Sequence, residues 1–150
     1  MISLFDSFNE IWLVDFEFDA PPGEHPTPVC LVAKELKSRR TLRLWQDEIG
    51  RLKLPPYPTD SYSLFVAYYA SAEFGCHLSL NWPLPENVLD LFTEFRSLTN
   101  GKPTPSGRGL LGALAYYGLP CLDVVEKNTM RDLVLRGGPW SVQERLDMFD

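Results

Sequence analysis

The chain has 150 residues, of which 45% are hydrophobic and 13% aromatic, which is enough to bury the core of one domain and excludes a wholly disordered protein. Fourteen Lys and Arg residues stand against 20 Asp and Glu residues, for a formal net charge of −6, and this excludes a binder that relies on a generally basic surface for its affinity for nucleic acid. An acidic chain can still act on nucleic acid through bound metal ions, because carboxylates are their ligands. We expect a single domain spanning residues 1–150.

No apolar run approaches the roughly 18–20 residues that span a bilayer, and the first residues, MISLFD, lack the basic start and cleavage site of a secretory signal peptide. The three cysteines, Cys30, Cys76 and Cys121, are odd in number and widely spaced, which is not typical of a disulfide framework or a CxxC metal motif. We therefore expect buried thiols in a cytoplasmic protein that has no membrane partner.

The first half of the sequence is predicted to form β-strands. Residues 10–18 (EIWLVDFEF) are apolar on both faces, which predicts a central strand covered on both sides. After a proline-rich loop, residues 29–36 and 41–45 flank a short basic turn, a pattern typical of a hairpin. Prolines between residues 51 and 60 predict an extended connection, and residues 63–69 (SLFVAYY) predict another buried strand.

The second half is predicted to be mostly helical. Ser71 is a candidate N-cap for a helix that runs to about Leu80, and a short strand at residues 88–90 leads into a helix that extends through Arg96. Glycines and a capping box at Ser141 indicate the limits of three further helices. These helices are expected near residues 110–117, at residues 123–136 and after Ser141. The last one is still amphipathic at Asp150, where the sequence ends without a C-cap, so we expect an incomplete domain.

Two carboxylates lie in the first predicted strand. Asp15 and Glu17 are two residues apart, so they point from the same face of that strand. Burying two like charges side by side costs roughly several kcal/mol unless a cation or hydrogen-bond donors offset the cost. A divalent metal ion would do so directly. The alternative is an edge strand whose acids are solvated at its end.

Further metal ligands have to come from other segments. Glu73, at the start of the helix after the second buried strand, is the first candidate, and Asp90, at the end of the third strand, is the next. Each has a simpler explanation, since Glu73 suits the first turn of any helix and Asp90 suits an N-cap. Phe16 and Phe18 are neighbours of the acids and are candidates for stacking on a terminal base, although core packing of the strand is the stronger explanation for them.

Three segments together resemble a known group of nucleases: VDFEF at 14–18, FVAYYASAE at 65–73 and VLDL at 88–91. They are similar to the 3′–5′ exonuclease domain of family A DNA polymerases, which belongs to the DnaQ-like, or DEDD, superfamily. The resemblance extends from about residue 10 to the end of the sequence. It implies an α/β protein with a ribonuclease H-like mixed β-sheet flanked by helices.

The resemblance also implies roles for the acids. Asp15 and Glu17 match the first exonuclease motif, Glu73 falls where the second motif carries a metal-binding Asp, and Asp90 matches a supporting position. The implied activity is hydrolysis of phosphodiester bonds at DNA 3′ ends with two Mg²⁺ or Mn²⁺ ions. The implied partners are a single-stranded 3′ end of DNA and an attached polymerase domain.

The family pattern is not fully matched. Glu73 is one methylene longer than the family's Asp, and Tyr69 stands where the family has an asparagine. The third motif, a Tyr or His followed by a metal-binding Asp, is not visible, and Asp147 and Asp150 lack the expected Tyr. We expect the front part of a longer nuclease, with weak or no activity by itself. The alternatives are a non-catalytic nucleic-acid-binding or polymerase-docking module with an incomplete metal site, and a small α/β domain whose acids are incidental.

Overall fold

The computed structural model describes residues 3–120 and 124–149. In this part of the chain five strands form one sheet. The strands are β1 (Glu10–Asp19), β2 (Thr27–Glu35), β3 (Thr41–Trp45), β4 (Ser63–Ala67) and β5 (Val88–Asp90).

The helices follow the strands along the chain much as the sequence predicts. A short 3₁₀ turn at Leu4–Ser7 precedes β1, and neither this turn nor the first α-helix was expected. The α-helices are α1 (Gln46–Ile49), α2 (Ala70–Ser79), α3 (Leu91–Leu98), α4 (Leu110–Tyr116), α5 (Val124–Arg136) and α6 (Val142–Asp147).

The sheet is mixed, with the order β3-β2-β1-β4-β5. β1 pairs with β2 antiparallel and with β4 parallel, while β2–β3 is an antiparallel hairpin and β4–β5 is parallel. Parallel neighbours need a crossover, which α2 provides between β4 and β5. The predicted α/β class, a mixed sheet flanked by helices, is confirmed, and this architecture is compatible with a ribonuclease H-like fold.

β1 is central, as predicted, but only one of its faces is buried along its whole length. Trp12, Val14 and Phe16 point into the main core, where they pack against residues of α1, α2 and β2. On the other face Ile11 is buried, whereas Asp15 is exposed. The helix α5 and the residues that follow α6 pack over β2 and β3 through a separate cluster. The prediction of a strand covered on both sides is therefore wrong at its C-terminal half.

Two of the three cysteines are buried, and the helices of the described residues are short. Cys30 and Cys76 are buried free thiols, as predicted, and Cys121 lies outside the described residues. The longest helix among residues 3–120 and 124–149 is α5, with 13 residues. None of the helices described is long and apolar enough to cross a membrane.

Gly112 lies inside α4 at a point where the preceding loop approaches closely. A Cβ atom at this position would lie 2.3 Å from the carbonyl oxygen of Gly107, so the backbone would have to move. We predict that Gly112→Ala lowers the free energy of unfolding by about 1–3 kcal/mol, measured by urea denaturation. Gly109→Ala is the matched control, because nothing lies within 4 Å of its added Cβ. Equal losses in both variants would contradict this close approach.

Candidate metal centre

Glu73 is a buried carboxyl in the first turn of α2, with 3% of its surface exposed. The N–H of Phe16 donates a hydrogen bond to its Oε2 at 3.0 Å. β1 pairs with β4 only as far as Leu13, so the Phe16 N–H lies beyond the end of that ladder. If β4 continued beside β1, one of its carbonyl oxygens would accept from this N–H, and the carboxyl of Glu73 takes its place. The helix that follows β4 is thereby attached to the C-terminal half of β1.

Asp15 and Glu17 lie on one face of β1, with Asp15 exposed and Glu17 half-buried. Their negative charges act on the carboxyl of Glu73. Burial is the main cause that raises the pKa of Glu73, repulsion from Asp15 is the second, and Glu17 adds to it. Together they outweigh the hydrogen bond from Phe16 and raise this pKa to about 9. Glu73 is therefore protonated at neutral pH when no cation offsets the repulsion.

The donor set suits a hard cation, but the side chains are not arranged as a coordination shell. Within the described ranges, no three His, Cys, Asp or Glu side chains form a group that could hold a metal ion as they stand. Three carboxyl groups are the ligand type that Mg²⁺ and Mn²⁺ prefer. A carboxylate has about four acceptor sites, and the Phe16 N–H uses one of those of Glu73. The residues fit the ions in chemistry, and binding requires their side chains to rearrange.

Asp90 is the N-cap of α3, the simpler of the two roles expected for it. Its Oδ1 accepts hydrogen bonds from the N–H groups of Phe92 at 2.9 Å and Thr93 at 3.4 Å. The same oxygen also accepts from the N–H of Tyr69 at 3.1 Å, which makes a link that a capping role alone does not require. Tyr69 directly precedes α2, so Asp90 positions the start of the helix that carries Glu73.

The aromatic neighbours of the acids belong to the core. Phe16 is 3% exposed, and its ring packs against those of His77 and Trp82 at centroid distances of 6.2 and 6.3 Å. Phe18 is half-buried and packs against the same cluster. A buried ring has no free face for a base, so the prediction that Phe16 stacks on a terminal nucleotide is wrong. Phe18 is also turned toward this core, on the face of β1 opposite to Asp15 and Glu17.

No protein-family model and no curated protein matches this chain. These comparisons therefore neither support nor contradict the resemblance to the exonuclease family.

His77 has a structural role in the core. It is fully buried, and its ring lies between the hydroxyl of Tyr57, 2.7 Å from Nε2, and the carbonyl oxygen of Pro83, 2.8 Å from Nδ1. A carbonyl oxygen only accepts, so Nδ1 carries the proton and Nε2 accepts from Tyr57. Burial lowers the pKa of His77, which keeps the ring neutral. Nothing in the sequence pointed to Tyr57, because it lies in a proline-rich connection.

The two acids considered for the missing third motif are at the end of the chain. Asp147, in α6, accepts a hydrogen bond from Gln143 Nε2 at 2.7 Å. The carbonyl of its neighbour Met148 accepts from the thiol of Cys30 at 3.6 Å, and Cys30 is the β2 partner of Glu17. The C-terminal end of α6 therefore lies near the C-terminal end of β1, which carries Glu17. Asp150 lies outside the described residues.

Proposed function

We propose that this chain is a 3′–5′ exonuclease-like domain that hydrolyses phosphodiester bonds at DNA 3′ ends with two Mg²⁺ or Mn²⁺ ions. One observation carries the proposal: Glu73 accepts a hydrogen bond from the N–H of Phe16, the residue between Asp15 and Glu17 on the central strand, and the charges of these two acids help to raise its pKa. Acids from two separate segments thus meet at the C-terminal end of β1. The sheet order, which is compatible with a ribonuclease H-like fold, supports the proposal.

Each acid has a distinct task in this proposal. Bound Mg²⁺ or Mn²⁺ would lower the pKa of an attacking water and stabilise the leaving 3′ oxygen. Asp15, exposed in the C-terminal half of the central strand, would offer ligand oxygens to both ions, and Glu17, on the same face, would bind one ion and orient the water. Glu73, which the Phe16 N–H holds against β1, would rearrange and give its remaining acceptor sites to the ions. Asp90 positions α2 and does not touch substrate.

The proposal extends to partners and location. The substrate is the single-stranded 3′ end of DNA, and a polymerase domain in the same protein is the second partner. A cytoplasmic location suits the buried free thiols of Cys30 and Cys76, because disulfides are rare in that compartment.

A labelled oligonucleotide tests the proposed activity. Wild-type protein with Mn²⁺ is expected to shorten a single-stranded DNA slowly from its 3′ end, and EDTA should abolish the reaction. Asp15→Asn should lower the rate by about 100-fold, the upper end of the losses seen even for residues that only support metal ligands. Glu10→Gln is the matched control, since Glu10 lies five residues earlier on β1, roughly 17 Å away along the strand. Equal rates for Asp15→Asn and wild type would contradict the assignment.

A second function, a non-catalytic nucleic-acid-binding or polymerase-docking module, is favoured by the orientation of Glu73. Its carboxyl faces the Phe16 N–H and has to rearrange before it can coordinate a cation with Asp15 and Glu17. In that case the protein binds single-stranded DNA but leaves its length unchanged at every Mn²⁺ concentration. Binding without shortening would favour this module over the exonuclease.

A further inference from the structure

Tyr69 has an unusual backbone conformation for a residue with a side chain. Its φ and ψ are 77° and 61°, in the left-handed region, which a tyrosine adopts only where its surroundings enforce it. The N–H of Tyr69 donates to Asp90 Oδ1 at 3.1 Å, so its position is held from a different strand. Half of its surface is exposed. The fold thus holds a large aromatic ring at the protein surface at an energetic cost.

The ring of Tyr69 belongs to a surface cluster formed by Tyr68, Tyr69, Phe92 and Arg96, here called the Tyr69 platform. Tyr69 and Tyr68 both meet the ring of Phe92 edge to face, at centroid distances of 5.0 and 6.0 Å. The guanidinium of Arg96 lies 5.5 Å from the centre of the same ring. Phe92 and Arg96 are four residues apart on α3, so they share one face of that helix.

The platform combines the two kinds of group that bind single-stranded nucleic acid. An exposed aromatic ring stacks on any base, since every base has a π-face, and a guanidinium pairs with phosphate or stacks on a base. A second cationic residue, the exposed Arg108, is adjacent, because its carbonyl oxygen accepts a hydrogen bond from the hydroxyl of Tyr68. Arg96 and Arg108 are both exposed, and positive charge beside an exposed ring favours an anionic partner.

The platform also lies next to the carboxylates. Tyr69 directly precedes α2, and Glu73 follows four residues later, about 6 Å along the helix axis. Asp90 contacts both Tyr69 and the first turn of α3, which carries Phe92. A base stacked on Tyr69 would therefore bring the adjoining phosphate toward Glu73 and the end of β1.

We infer that the Tyr69 platform binds the bases of a single-stranded nucleic acid beside the carboxylates. The inference deepens the proposed function and rests on it for the placement of the strand end, whereas stacking itself needs no metal ion. Tyr69 supplies the stacking face, Phe92 supports that ring from the side, and Arg96 binds the backbone.

Fluorescence anisotropy in EDTA at low ionic strength tests the inference, with 5′-labelled dT12 and rU12 as probes. Tyr69→Gly removes the ring, and glycine adopts a positive φ without strain, so the fold should be kept. This variant should weaken binding roughly 5- to 150-fold, the range for loss of one base–aromatic stack, while Tyr69→Phe should bind like wild type. Tyr62→Ala is the matched control, because Tyr62 is an exposed tyrosine just before β4, at the opposite end of that strand.

The outcomes separate the platform from the nuclease. A loss in Tyr69→Gly seen with dT12, with rU12 or with both supports the platform and shows which nucleic acid it takes. Equal affinities for Tyr69→Gly and wild type, equal losses in Tyr69→Gly and Tyr62→Ala, or no binding of either probe would overturn it. Because EDTA removes metal ions, failure of the Mn²⁺-dependent nuclease assay would leave a Tyr69-dependent affinity standing, and the two proposals can fail independently.

Discussion

Replacement of Glu73 by glutamine is expected to make the metal-free protein more stable than wild type at neutral pH. The native state raises the pKa of Glu73 to about 9 from an ordinary value of 4.5, so the folded chain holds a proton that the unfolded chain releases. The contribution of Glu73 to the free energy of unfolding is therefore fully present below pH 4.5, and it is lost as the pH rises from 4.5 to 9. Glutamine does not titrate, and its amide oxygen can still accept from the Phe16 N–H.

The size of this gain in stability follows from the shift in the pKa of Glu73. Between pH 4.5 and pH 7 the wild-type protein should lose about 3 kcal/mol of stability through this one carboxyl, at 1.36 kcal/mol per pH unit. The stability of Glu73→Gln relative to wild type should rise by about that amount over the same range. Urea denaturation in EDTA at several pH values measures the difference. Glu94→Gln, at an exposed glutamate of α3, controls for the loss of one charge. A constant difference between Glu73→Gln and wild type from pH 4 to pH 8 would show that Glu73 is not buried beside other acids.

Truncation of Phe16 is expected to cost several kcal/mol of stability. Phe16→Ala should lower the free energy of unfolding by about 3–5 kcal/mol, the usual cost of emptying a buried aromatic site. The reason is its position between His77 and Trp82 in the main core. Phe16→Leu, which keeps most of the volume, should cost about 1.5 kcal/mol or less.

Urea denaturation and oligonucleotide binding, measured on the same variants, distinguish a core role for Phe16 from a binding role. Phe16→Leu should bind dT12 with wild-type affinity, because a ring inside the core does not touch the strand. A Phe16→Ala protein of wild-type stability that had lost affinity for DNA would contradict the core position and restore the stacking role.

Much of the fold could be predicted because hydrophobic periodicity and turn residues report local structure directly. The run at 10–18 predicted the central strand, and the basic turn between two apolar runs predicted the β2–β3 hairpin. The capping box at Ser141 and Glu144 is present as expected. Asp15, Glu17 and Glu73 could also be named as candidates from the sequence, because two are paired acids in an apolar strand and the third begins the helix after the next buried strand.

The errors arose where a neighbour distant in sequence decides the outcome. Ser71 was expected to cap α2, but the helix begins at Ala70, after a Tyr69 that is held by Asp90, 21 residues away. Local capping preferences contain no such information. The error on Phe16 was avoidable, because strand alternation already places Phe16 on the opposite face of β1 from Asp15. The inward orientation of Glu73 was not predictable, since it depends on where the β1–β4 ladder ends.

Titration with Mn²⁺, followed by the EPR signal of the free ion, tests most directly whether acids from separate segments share a cation. Wild-type protein is expected to bind Mn²⁺, and Asp15→Asn and Glu17→Gln should each weaken binding by about 10-fold or more. Glu10→Gln, on the same strand but distant from the site, should bind as wild type does. Failure of the wild-type protein to bind Mn²⁺, or equal binding by all four proteins, would contradict the metal centre.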